Sequence, residues 1–246
     1  MTTAGRRILV ARPAAQSGRL LTLLADAGWQ GQSFPVMDIQ PLPDALAHLP
    51  AQAAQADWLF FVSPSAIDIA WPVLQQQPVN ARLACVGQAS ARRLAKLSGQ
   101  DILFPTTGSD SESLLALPQL ADVSGQHWLI VRGLGGRALL ADTLRQRGAD
   151  VTLAEVYQRM DGKPDWGLLD DDPPDAMVIT SSEMVEQLFR LAGPARAVTL
   201  QCLLYCVPHP RIAERLQALG ATRIVTTRAD DEALVSGLRE WFCRHP

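Results

Sequence analysis

The chain has little of what most enzymes use for chemistry. Its four cysteines, Cys85, Cys202, Cys206 and Cys243, form no CxxC pair and no Cys/His spacing of a metal site. Cys85 and Cys206 stand inside apolar runs, LACVG and LYCVP, where a free thiol acts as a small buried hydrophobe. The four histidines are scattered: His48 and His245 lie in polar sequence, His127 opens an apolar run, and only His209 directly follows one. No Ser/His/Asp set gathers at such positions, and no GxxxxGK(S/T) loop or His/carboxylate cluster is present. A histidine-centred acid–base enzyme, a P-loop enzyme and a metalloenzyme are therefore not expected, and no metal ligands are assigned.

Lysine is also scarce, with Lys96 and Lys163 set against twenty arginines. Arginine suits carboxylates and phosphates through its planar fork, although a GC-rich genome gives the same bias and is the simpler explanation. A formal net charge of −3 gives no broad attraction for nucleic acid or an anionic membrane. No apolar run approaches the ~18 residues that span a bilayer. The ILVA after Arg6-Arg7 is too short for a signal-peptide core. These absences predict a reduced, soluble, cytoplasmic protein.

What is present is an ordinary globular balance, 48% hydrophobic and 19% charged over 246 residues, enough for a core without staples. Short apolar runs alternate with amphipathic segments: ILVA (8–11), WLFFV (58–62), LACV (83–86), DILF (101–104), WLIV (128–131), TLAEVY (152–157), AMVIT (176–180), LLYCV (203–207) and RIVTT (223–227). Such alternation predicts an α/β protein with parallel sheets covered on both faces. The halves also match. Arg12, Leu20, Leu24 and Gly28 recur 120 residues later as Arg132, Leu140, Leu144 and Gly148. Ser63 recurs as Ser181, Cys85 as Cys206, Gly99 as Gly220, and Glu112-Ser-Leu114 as Glu232-Ala-Leu234, at spacings of 118 to 121. Near-constant spacing predicts two copies of one five-stranded unit.

The loop Gly133-Leu-Gly-Gly-Arg-Ala138 follows an apolar run, and Glu155 lies twenty residues after Gly135, as in a dinucleotide-binding unit. The equivalent loop of the first copy, Pro13-Ala-Ala-Gln-Ser-Gly18, lacks the glycines, and Arg132 is unusual before such a loop. A close-approach turn that leaves helix amides open to an anion is the better reading. Other strand ends carry Arg12, Ser63 and Ser65, Gly87 with Ser90, Thr106-Thr107, Arg132-Gly133, Ser181-Ser182, His209 with Arg211, and Thr226-Thr227. Singly, most of these hydroxyls suit helix caps, each stabilising by about 1 kcal/mol. Together they suit a ligand with several carboxylates. The run Asp170-Asp-Asp-Pro-Pro-Asp175 lacks the spaced ligands of a calcium loop and reads as a solvated connector.

The motifs, in order, resemble the uroporphyrinogen-III synthase family. They are ILVARP, DWLFFVSPSAI, VGQASARRLAKLSG, SDSESLL, VRGLGGRALLADTLRQRGADV followed by LAEVYQRM, VITSSEMV and VPHPRIAERLQALGA, and they cover almost the whole chain. The resemblance implies two flavodoxin-like parallel-sheet domains joined by a two-stranded linker, with an interdomain cleft. The first would be discontinuous, 1–36 and 172–246; the linker strands would be 37–43 and 153–160; the second domain would be 44–152. It implies cyclisation of the linear octa-carboxylate hydroxymethylbilane to uroporphyrinogen III, with inversion of ring D through a spiro intermediate and no cofactor. It further implies a monomer that binds a small-molecule substrate, with transient contact to the enzyme that makes hydroxymethylbilane.

By the same resemblance Tyr157, in the EVY segment of a linker facing the cleft, helps the substrate's hydroxyl to depart. A phenol is a weak acid, so assistance is expected rather than full proton transfer. The family's G-x-x-T-A turn stands here as Gly87-Gln-Ala-Ser90-Ala91, whereas the second copy has His209-Pro-Arg-Ile212-Ala213, without the glycine or threonine. Arg12, Ser63, Ser65, Gly87, Ser90, Arg132, Gly133, Ser181, Ser182, His209, Arg211, Thr226 and Thr227 are carried as substrate contacts. A non-catalytic tetrapyrrole or polyanion sensor remains the alternative from another class, and an NAD enzyme the third.

Overall fold

The computed structural model describes residues 5–108, 110–136 and 138–245. Ser109 and Arg137, which the motifs above include, lie outside the described residues. The strands are β1 (Arg7–Val10), β2 (Gln30–Ser33), β3 (Met37–Pro41), β4 (Trp58–Phe61), β5 (Arg82–Cys85), β6 (Ile102–Leu103), β7 (His127–Gly133), β8 (Asp150–Asp161), β9 (Ala176–Val178), β10 (Leu204–Val207) and β11 (Arg223–Thr226). The helices are α1 (Gly18–Asp26), α2 (Pro43–Ala54), α3 (Pro64–Leu74), α4 (Gln88–Ser98), α5 (Ser111–Leu115), α6 (Leu139–Gln146), α7 (Gly167–Asp170), α8 (Ser182–Cys202), α9 (Pro210–Ala218) and α10 (Asp231–Arg244). The chain divides into two compact units, one of Met1–Asp38 with Met160–Pro246, the other of Ile39–Arg159.

The discontinuous unit holds a five-stranded parallel sheet in the order β11-β10-β9-β1-β2. Its inner strands β9 and β10 are buried at every residue, as strands covered on both faces must be. Helix α1 buries Leu20 and Leu24 and stops at Gly28, whose φ of 80° suits a residue without a Cβ. The other unit holds the order β3-β8-β7-β4-β5-β6, with β8 through β6 parallel. Here β3 is the edge strand beside β8, and just past its end the Leu42 N–H bonds the Val156 carbonyl at 2.9 Å.

Residues paired in the sequence at spacings near 120 take matching local roles. Leu20, Leu24, Leu140 and Leu144 are all buried, and Gly28, Gly148, Gly99 and Gly220 all have positive φ. Ser63 caps α3 and Ser181 caps α8, each accepting from a backbone N–H three residues on; Asp110 and Asp230 do the same for α5 and α10. The family-derived linker 153–160 lies inside the continuous strand β8 in this structure. Its registry with β7 runs from His127–Asp150 to Gly133–Tyr157.

Candidate active site

Because β1, β2, β9, β10 and β11 run parallel in one sheet and β4 to β8 run parallel in the other, the carboxyl ends of each set share one edge, and the polar residues named from the sequence collect there unit by unit. The densest arrangement surrounds Tyr157. The β7–β8 register shifts between Arg132 and Gly133: Arg132 pairs Glu155, but Gly133 pairs Tyr157. This bulge leaves Val156 as an extra residue and turns two consecutive side chains, Val156 and Tyr157, into one apolar cluster with Phe61, Val131 and Ala154. Tyr157 is only 1% exposed, more enclosed than a linker position predicts.

The ring owes its place to a glycine. A Cβ at Gly133 would meet Cε2 of Tyr157 well inside contact distance and Cζ at 2.6 Å. At the polar end, the Tyr157 hydroxyl and Ser63 Oγ share a hydrogen bond of 3.0 Å, and Ser63 Oγ also accepts the Ala66 N–H at 3.1 Å. Arg159 Nη2 donates to the same phenolic oxygen at 3.3 Å, with its guanidinium carbon 5.5 Å from the ring centroid. Ser63 and Arg159 are half-buried.

The rest of the glycine loop also serves its neighbours. Arg132, 5% exposed, donates Nε to the Gly133 carbonyl at 3.3 Å and lies 3.9 Å from Glu155 Oε1. A Cβ on Gly136 would stand 2.7 Å from the Arg132 guanidinium carbon, and Gly135 has φ of 75°. Each glycine thus answers to a protein side chain or a turn, with no need for a pyrophosphate. Glu155, the residue a ribose would want, sits beside Arg132. Nearby, Gly87 precedes α4 and Ser90 is buried in its first turn, while Ser65 lies half-buried in the first turn of α3. Burial pushes the Cys85 thiol up to about 11, against a backbone hydrogen bond at Gly87 that favours the thiolate, so it is no nucleophile at neutral pH.

In the discontinuous unit the named residues are placed but less concentrated. Arg12 pairs with Asp231 at 2.7 Å, both side chains about 15% exposed, at the first turn of α10. Ser181 is a cap, whereas the Ser182 hydroxyl is buried without a hydrogen-bond partner. His209 caps α9, its Nδ1 accepting the Arg211 N–H at 3.1 Å, and the Arg211 side chain is exposed. Thr226 ends β11 and Thr227 follows it; they line a cavity of about 450 Å³ beside α10, and Thr227 Oγ1 donates to the Arg228 carbonyl at 2.9 Å. Capping therefore accounts for Ser63, Ser181 and His209, but not for the threonines. No group of three metal-ligating side chains occurs among the described residues, and no helix among them is long and apolar enough to cross a membrane.

A family model described as "Uroporphyrinogen-III synthase HemD" matches residues 18–236. The chain belongs to the uroporphyrinogen-III synthase family. It is 36% identical to the uroporphyrinogen-III synthase of Escherichia coli (strain K12), over 94% of this chain and 99% of that protein. It is 34% identical to that of Salmonella typhimurium, with the same coverage. Among solved structures, a mutant uroporphyrinogen III synthase from the extremely thermophilic bacterium Thermus thermophilus resembles it with a TM-score of 0.65 at 19% identity, covering 98% of this chain and 100% of that one. The Helicobacter pylori 26695 synthetase gives 0.60 at 16%, covering 96% and 99%. These two structures show the likeness of the fold. The α/β architecture with parallel sheets expected from the sequence is the one found.

Within that family setting, Arg159 is the residue that sequence reasoning passed over. The signal was available: residues two apart on a strand point to the same face, so Arg159 must stand beside Tyr157.

Proposed function

We propose that this chain cyclises hydroxymethylbilane to uroporphyrinogen III, with inversion of ring D. The observation that carries the reading is family membership over nearly the full length, joined to a tyrosine in the EVY segment whose hydroxyl is held at 3.0 Å by Ser63. The Tyr157 O–H assists departure of the hydroxyl from ring A's hydroxymethyl group and leaves an azafulvene cation. Ring D attacks through its substituted carbon to form a spiro intermediate; fragmentation and recombination invert the ring, and closure with proton loss gives the product. Without a protein the chain closes unrotated, so folding and holding the bilane is the main task, an orientation effect that lowers barriers by several kcal/mol.

On each unit the strand-end residues are assigned to the carboxylates. Ser63, Ser65, Gly87, Ser90, Arg132 and Gly133 serve in the one; Arg12, Ser181, Ser182, His209, Arg211, Thr226 and Thr227 serve in the other. The least encumbered contacts are the backbone N–H groups at helix starts and the exposed Arg211. Arg132 and Arg12 are also paired with the protein's own carboxylates, so they shape the loops as well. The test is the isomer composition of the product formed from fresh hydroxymethylbilane: type III supports the assignment, and type I alone overturns it.

A further inference from the structure

We infer that Arg159 is a positioning residue of the cyclisation: it is the cation that holds the negative charge left on Tyr157 as the phenol gives up its proton. The inference rests on the role proposed above for Tyr157. A phenol that is 1% exposed cannot hand its developing charge to bulk water. The charge must be met by donors fixed in the protein, and among the described residues Arg159 Nη2 at 3.3 Å and Ser63 Oγ at 3.0 Å stand against the phenolic oxygen. Arginine has donors only and stays charged, so its bond to the oxygen has one possible direction.

Ser63 can donate as well, because the lone pair given to the Ala66 N–H leaves its own proton free. When both donate to its lone pairs, the phenol's own proton is directed away from them. The guanidinium beside the ring adds a fixed charge where the dielectric is low, and fixed charges of this kind stabilise a transition state without reorganisation.

The step balances. The carbon–oxygen bond of the hydroxymethyl group breaks with its electron pair on oxygen, and the Tyr157 proton joins that oxygen to give water. The cation stays on the substrate and the phenolate between Arg159 and Ser63. The proton lost at ring closure restores the phenol, so the site ends as it began.

Steady-state kinetics on four chains tests this: wild type, Arg159→Met, Tyr157→Phe and the double variant. Arg159→Met should lower kcat about tenfold or more, with KM within about twofold of wild type. In the Tyr157→Phe background the same replacement should change kcat less than about twofold, since no charge then develops at position 157. Arg159→Lys, which keeps the cation, should recover part of the loss and separates charge from packing. An equal fall in kcat in both backgrounds overturns the inference, as does a rise in KM with kcat unchanged, which marks a carboxylate contact. Tyr157→Phe turning over like wild type, or a wild-type chain giving only type I isomer, removes the underlying reading and the inference with it.

Discussion

A methyl group at position 133 would land on the ring of Tyr157, 2.6 Å from Cζ, and the ring has no slack because its hydroxyl is held at Ser63 and Arg159. Gly133→Ala should therefore push the phenol off Ser63. We expect at least a tenfold loss of kcat and a stability cost of about 1–3 kcal/mol, the usual range for overpacking. Gly18→Ala is the matched control: nothing lies within 4 Å of its notional Cβ, and it opens α1. That variant should keep full activity and lose no stability. A Gly133→Ala chain with wild-type kcat would show that the ring's position is immaterial. The residue scale is also where the sequence was least legible. The glycines of the loop were plain to read, but not what they accommodate, because Tyr157 stands 24 residues further on and Ser63 lies 94 residues before Tyr157. Contacts set by pairing strands distant in the chain leave no local trace.

Elements were easier to read where burial dictates composition. The runs around β1, β4, β5, β7, β9 and β10 are apolar because both faces of an interior parallel strand are covered. Strand β2, QGQS, gave no such signal. It is an edge strand, and Gly31 admits α1 so closely that a Cβ there would meet Leu24 Cδ1 at 2.9 Å. Strand β8 outran its expected 152–157 at both ends: it pairs with β7 from Asp150, and past Tyr157 it runs beside β3, up to the Gly162 N–H that bonds the Val36 carbonyl at 3.0 Å. Helix starts are the most local feature of all, and their caps were foreseeable from residue type. Asp230 accepts the Ala233 N–H at 2.7 Å, so Asp230→Ala should destabilise by about 1 kcal/mol without altering kcat. A denaturation midpoint unchanged by the substitution would show the cap to be idle.

At the scale of the molecule, a net charge of −3 gives no broad pull on nucleic acid or an anionic membrane, whereas the substrate proposed here is an octa-carboxylate. The two are compatible because the proposed contacts, at strand ends and helix starts, are local and do not depend on the sum. Exposed ion pairs do little for the fold. Asp161, Asp170 and Glu186 are held below their usual range, chiefly by hydrogen bonds from Arg190, Arg196 and Arg215. Their small stabilisation is present above the ordinary carboxylate range and lost as pH falls through their lowered values.

The alkaline side has a larger lever. Burial pushes Cys85 up to about 11 and Cys206 to about 12, from an ordinary 9.0. Above about pH 9 the unfolded chain has lost thiol protons that the native chain keeps, so stability falls as pH rises toward those values, by roughly 1 kcal/mol per thiol per pH unit. Denaturation at about pH 8 and about pH 10 should show this fall. In the native state a thiol reagent should label the exposed Cys202 and Cys243 and spare the other two. Equal stability at both pH values, or four thiols labelled together, would contradict the burial described.

The central claim is that this chain closes the inverted macrocycle and that the phenol of Tyr157 assists the first bond to break. The direct measurement is the rate and isomer composition of product from freshly generated hydroxymethylbilane, for wild type and for Tyr157→Phe. The account predicts type III isomer from wild type, and the same isomer formed at least tenfold more slowly by Tyr157→Phe. Type I isomer from the wild-type chain, at the rate seen without protein, would contradict it.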